Sequence, residues 1–173
     1  MTRYVALLRG INVGRRKVAM AELREIAEAA GFTEVRTHLN SGNLIVETDG
    51  GADSVRAALE PLINERFGIE VPVVVRSMKQ LRATLAANPF DAANPSQLII
   101  MFCAAKPPAS ALAKLLGLAT DEETVAVHGK EIFVDYRGGL ARSKLAAAGD
   151  RPTGVIATGR NVRTVQKLVE LME

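Results

Sequence analysis

An α+β fold is predicted, a ferredoxin-like plait (βαββαβ) followed by a smaller, degenerate α+β subdomain. Three observations predict it. The apolar segments of residues 3–76 alternate as strand, helix, strand, strand, helix, strand, which is the order of that plait. Asn40-Ser41-Gly42-Asn43, between the second and third strands, is strong turn chemistry and makes those strands a hairpin. At 173 residues and 48% hydrophobic content, the chain fits one compact domain or two small subdomains sharing a core. The expected division is 1–76 and 77–173.

Residues 3–8 form an apolar strand, and 9–18 a loop with two glycines, Gly10 and Gly14. Residues 20–30 are rich in helix formers. Leu23, Ile26, Ala27 and Ala30 give the apolar stripe of a helix packed on a sheet, and Gly31 suits its C-terminal cap. Strands follow at 33–39 and 44–48. Residues 53–67 carry apolar Val55, Leu59, Leu62, Ile63 and Phe67; Pro61 should kink or break this helix, and Gly68 ends it. Residues 71–76 are a fourth strand.

The second half is less regular. A helix at 77–87 is capped by Ser77 and stopped by Asn88-Pro89-Phe90. Residues 97–104 are a strand, and Pro107-Pro108 opens a helix over 109–116. Residues 123–127 and 131–136 form a hairpin. Short and final helices occupy 142–148 and 161–172, with Asn161 as the N-cap of the last. No repeat between the halves and no low-complexity linker is legible.

Charge is unevenly spread. The chain holds 22 Lys+Arg and 19 Asp+Glu, a net +3. Residues 9–17 carry +4, residues 137–167 carry +6, and the remainder carries −7. Basic side chains beside glycines suit an anionic ligand. Aromatic residues make up only 4%, so Leu, Val, Ile and Ala must build the core. The single cysteine, Cys103, lies in an apolar run and reads as a buried strand residue; a disulfide framework is impossible within the chain. His38 and His128 stand far apart, so no zinc site is expected. No segment reaches the length of a membrane span, and the N-terminus does not read as a signal peptide. The expected location is the cytoplasm.

Three places carry candidate ligand chemistry. The first is the loop with Arg9, Gly10, Asn12, Gly14, Arg15 and Lys17, where glycines admit close approach of an anion and Arg can hold phosphate bidentately. It lacks the Gly-Lys-Ser/Thr ending of a Walker A loop and the GxGxxG of a dinucleotide site. The second is Ser41 and Asn43 in the hairpin turn. In the predicted plait this turn is expected at the opposite sheet end from loop 9–17, so the two are not expected to share a site. The third is C-terminal: Arg160, Asn161, Arg163, Thr164 and Lys167 around the last helix N-terminus, with Ser143 and Lys144 on the short helix. Arg160, Arg163 and Lys167 are spaced to share an exposed face, so Arg160→Ala is expected to weaken anion binding with little loss of stability. Asp91 and Asp135 stand alone near turns and read as structural; Tyr4 and Tyr136 read as core. No nucleophile–base set stands out, so catalytic residues are unassigned.

The segments YVALLRGINVG (4–14), MAEL (20–23), Gly31-Phe32, Ser41-Gly42-Asn43 and Thr158-Gly159-Arg160-Asn161, with Thr164-Val165 and Lys167-Leu168, resemble the bacterial DUF1697 family of unknown function. The resemblance spans nearly the whole chain. It implies small cytoplasmic proteins with two plait-like α+β subdomains, and no established activity, cofactor or catalytic residue. This chain departs from the family pattern at Val162, where Trp is usual, at Asn40, where Gln is frequent, and near Arg16, where Asn is frequent. If the Trp stacks on a ligand, that contact is lost here.

Three function classes remain. The first is a binder of a phosphate-bearing partner, either a nucleotide-like small molecule or nucleic acid. The second is an enzyme acting on an anionic small molecule. The third is a structural or protein-interaction module. No cofactor, metal or membrane is expected, and the oligomeric state is open.

Overall fold

The computed structural model describes residues 1–91 and 93–173. Its elements run β1 (Thr2–Leu8), α1 (Met20–Ala29), β2 (Thr33–His38), β3 (Asn43–Thr48), α2 (Ala52–Phe67), β4 (Val73–Ser77), α3 (Met78–Ala86), β5 (Leu98–Cys103), α4 (Ala109–Leu118), β6 (Glu123–His128), β7 (Glu131–Tyr136), α5 (Lys144–Ala148), a 3₁₀ turn (Arg151–Thr153), β8 (Ala157–Asn161) and α6 (Val162–Met172). The fold is α+β, with two antiparallel four-stranded sheets. The chain divides into two compact units, Met1–Leu81 with Leu168–Glu173, and Arg82–Lys167.

In the first unit the strand order is β2-β3-β1-β4. The β1 strand lies between antiparallel neighbours, with Val5 opposite Ile45 on β3 and Arg76 on β4. Side chains alternate between faces along a strand. Ala6, Leu8, Leu44, Val46, Val73 and Val75 therefore share one face, and pack against Leu23 and Ala27 of α1 and Val55, Leu59 and Ile63 of α2. Val5 and Leu7, on the other face, are also fully buried. Each such side chain contributes about 1.5–3 kcal/mol when removed from water. Arg3, on that same face, donates from Nη1 to the Met172 carbonyl at 3.0 Å, tying the end of α6 to this unit.

Pro61 lies inside α2 without ending it. It removes the N–H that would bond the Ala57 carbonyl, but both residues are exposed, so water can serve that oxygen. The helix stops at Gly68, in the left-handed region at φ 69°, where its N–H bonds the Asn64 carbonyl.

In the second unit the order is β6-β7-β5-β8, the same arrangement again. Met101, Cys103, Ile132, Val134, Tyr136 and Ala157 pack against Leu115 and Leu145. Cys103 and Tyr136 are thus core, as read from the sequence. The β8 strand was not expected: the sequence reading ran residues 158–165 directly into the last helix. Gly159 and Asn161 break the strand pattern locally, and only pairing with β5 reveals it.

The two units repeat one another in register. Arg76 stands opposite Val5 as Arg160 stands opposite Ile100. Leu8 and Arg9 donate to the Gly42 and Pro72 carbonyls; Cys103 and Ala104 donate in the same way to Lys130 and Ile156. Ser77 and Asn161 each follow the arginine and each cap a helix: Ser77 Oγ accepts from Gln80 N, and Asn161 Oδ1 from Thr164 N. The common thread is Arg, a capping residue, then an apolar residue four positions on, Leu81 or Val165, both wholly buried. Among the described residues no helix is long and apolar enough to cross a membrane.

Candidate functional site

The C-terminal end of β1 is a meeting point of loops. Leu7 is paired with Asn43, the first residue of β3, and Leu8 with Val73, the first of β4. Loop 9–17, turn 39–42 and segment 69–72 therefore share one end of the sheet. This corrects the expectation that loop 9–17 and the Asn40–Asn43 turn lie at opposite ends. The α1 crossover makes β2 parallel to β1, so β2 delivers its turn to the same end at which β1 finishes.

Named side chains lock these loops together. Asn12, at φ 54°, donates from Nδ2 to the carbonyls of Val18 at 3.0 Å and Asn40 at 2.6 Å, and its Oδ1 accepts from Val18 N. Arg16 donates from Nε to the Gly10 carbonyl at 2.8 Å and from Nη2 to the Glu70 carbonyl at 2.6 Å. Between them Val13-Gly14-Arg15-Arg16 folds into a tight turn, with Arg16 N bonded to Val13 O and Gly14 at φ 57°. Gly42 sits at φ 89°, and a Cβ there would lie 2.6 Å from Ile11 Cδ1 and 2.8 Å from Leu8 Cβ. Wholly buried Asn43 bonds back to the His38 carbonyl at 2.7 Å and to Ser41 Oγ at 3.3 Å.

The predicted site residues thus separate into two groups. Asn12 and Asn43 spend their amides on the framework, and Gly10 and Gly14 supply its left-handed turns. Arg15, Lys17 and Ser41 are exposed, and Arg9 is half-buried. The side chains of Arg15 and Lys17 make no hydrogen bond or ion pair among the described residues. Arg16, absent from the predicted set, joins two of the three loops. Sequence offered no signal for this, because its partners are backbone carbonyls.

The C-terminal set is different from its reading. Arg160 lies in β8, not on the exposed face of α6, and is only 7% exposed. Its Nη1 donates to Thr158 Oγ1 and the Gly159 carbonyl, both at 2.8 Å. Burial pulls its guanidinium down to about 10. Thr164 is buried, whereas Arg163 and Lys167 are exposed. Val162 is 4% exposed and fills core. Ser143 caps α5 by accepting from Ala146 N, and donates its hydroxyl to Glu123; Lys144 beside it is exposed. The bonds from Ser143 and then Thr120 hold the Glu123 carboxyl below its ordinary range. Burial, aided by the Glu123 charge, pushes the Tyr136 phenol up to about 12. Among the described residues no group of His, Cys, Asp and Glu is arranged to hold a metal.

A solved structure, that of the conserved bacterial protein SP0830 from Streptococcus pneumoniae, is similar over 99% of this chain and 98% of its own, with a TM-score of 0.79 and 23% identity. That likeness is one of fold. No curated protein matches. The family described as "Protein of unknown function (DUF1697)" matches residues 1–133, more than three-quarters of the chain, and the chain belongs to it.

Proposed function

We propose that the loop cluster at the end of β1 binds a phosphate-bearing ligand. The observation that carries this is the Asn12–Asn40 bridge, which fastens the basic loop to the Ser41 turn and fixes one basic, glycine-bearing rim. Arg15, Lys17 and Arg9 supply charge, and Ser41 a hydroxyl. Exposed Val13 and Leu39, 58% and 53% accessible on the same loops, offer apolar flanks for the remainder of a nucleotide-like molecule. Arg163 and Lys167 on α6 and Lys144 on α5 are also exposed, and their charge strengthens attraction of anions at longer range.

The strand orders β2-β3-β1-β4 and β6-β7-β5-β8 support a ferredoxin-like plait in each unit. A plait that reads RNA across its sheet presents aromatic side chains on its central strands. Here Val5, Ala6, Leu7 and Leu8 are wholly buried, which favours a compact ligand at the loop end over a nucleic acid across the sheet. An enzymatic reading draws no nucleophile from Ser143, whose hydroxyl is committed to Glu123 and its helix cap. The test is thermal shift against inorganic phosphate, nucleotides, sugar phosphates and short oligonucleotides at low and high salt. Stabilisation by a small anion is expected. A response to oligonucleotides alone, abolished by salt, would point to nucleic acid instead.

A further inference from the structure

At the other end of the second sheet lies a cavity of about 440 Å³, lined by Phe90, Asp91, Asn94, Gln97, Asp135 and Arg137 among others. Its size falls within the range of about 300–1,000 Å³ usual for small-molecule sites. The loop entering β5 shapes it: Ala93 N bonds Phe90 O, Gln97 N bonds Asn94 O, and Gln97 O accepts from Tyr136 N at the end of β7.

Asp135 is the unusual member. It sits on β7 opposite Leu98 and Thr124, on the face away from Val134 and Tyr136. It is only 8% exposed, yet its carboxylate makes no hydrogen bond or ion pair among the described residues. The residue is largely covered while its carboxylate oxygens open onto the cavity, so a cationic ligand seated there gains a charge-assisted hydrogen bond at little cost in ordering the acceptor. The remaining walls agree with this. Asp91 adds a second carboxylate, and Asn94 and Gln97 add neutral hydrogen-bonding groups. Phe90 offers a ring against which an ammonium or its carbon stem packs. The one cation, Arg137, has its Nη2 drawn to the Asp121 carbonyl at 2.8 Å.

We infer that this cavity is a second ligand site, taking a small, polar molecule that carries a primary amine, with the ammonium on Asp135. It is independent of the anion site on the first unit, since none of its lining residues belongs to that loop cluster.

The test uses the full chain and matched probes: glucosamine against glucose, and 1,4-diaminobutane against 1,4-butanediol, followed by ¹H–¹⁵N and carboxyl ¹³C NMR. The amines are expected to shift the Asp135 carboxyl carbon and the Gln97 side-chain amide, and the uncharged analogues to leave both in place. Asp135→Asn is expected to weaken amine binding at least tenfold. Asp49→Asn, at an exposed carboxylate paired with the N-terminus, is expected to leave it unchanged. Equal response to amine and alcohol, or retained binding in Asp135→Asn, overturns the inference. Should Asp135→Asn not fold, the wild-type carboxyl signal decides alone: no shift of that carbon on saturation with either amine overturns it equally.

Discussion

The side-chain amide of Asn12 donates to the backbone carbonyl of Asn40, 28 residues away, at 2.6 Å. The same side chain bonds both the N–H and the carbonyl of Val18. One residue thus fixes where loop 9–17 begins and ends and fastens it to the hairpin turn. Its left-handed backbone is one Asn tolerates better than most residues. Asn12→Ala should lose those bonds at about 1 kcal/mol each and add backbone strain, for a total of about 2–4 kcal/mol by urea unfolding. Ligand affinity should fall with it. A variant of wild-type stability would mean the loop is held by something else.

Gly42 is needed for space as well as for its backbone. A Cβ would meet Ile11 and Leu8 well inside contact distance, at a φ of 89°. Gly42→Ala should cost about 2–4 kcal/mol. Gly31→Ala serves as the reference: it has a similar φ, 91°, but open space around it, and should cost only about 1 kcal/mol. Equal losses in thermal unfolding would remove the steric part of this explanation.

Arg160→Ala should lower the melting temperature substantially, by about 2–4 kcal/mol of stability, because the guanidinium is buried and bonded to Thr158 and Gly159. The charge pattern alone implied the reverse, an exposed residue whose loss is harmless. A melting temperature unchanged from wild type would restore that reading.

Tyr136 should ionise late. In Tyr4→Phe the remaining phenol is expected to deprotonate near pH 12, against about 10 for a free tyrosine, as read by absorbance. Because the folded value is raised, its contribution to stability is intact below about pH 10 and is lost as pH rises from there through about 12. Titration at the ordinary value would show the phenol is wet.

Much of the fold was legible because periodicity and turn chemistry act locally. The strand over 131–136 and the helix over 20–30, closed by Gly31, follow from side-chain spacing alone, and Gly31 takes the expected left-handed φ. What escaped were relations fixed by pairing. The β8 strand carries Gly159 and Asn161 and looks like a loop until β5 aligns it. The repeat of the two units rests on register, with Arg76 and Arg160 equivalent although few neighbours are alike. Burial of Arg160 follows from its place on a sheet face, which charge counting cannot foresee. The site was legible in part. Arg15, Lys17 and Ser41 were picked out by composition, but their common end was misplaced because strand direction was misassigned. Arg16 escaped because it acts through backbone carbonyls, and Asp135 reads as structural in the sequence because only β7 brings it to its cavity.

The most direct measurement is the affinity of Arg15→Ala/Lys17→Ala for the small anion that best stabilises the wild type, by titration calorimetry at low salt. Both side chains are exposed and make no hydrogen bond or ion pair among the described residues, so the double variant should fold with wild-type stability. The predicted result is a loss of affinity of tenfold or more, with Arg163→Ala/Lys167→Ala binding within about threefold of wild type. Unchanged binding in Arg15→Ala/Lys17→Ala would contradict a ligand site at the end of β1.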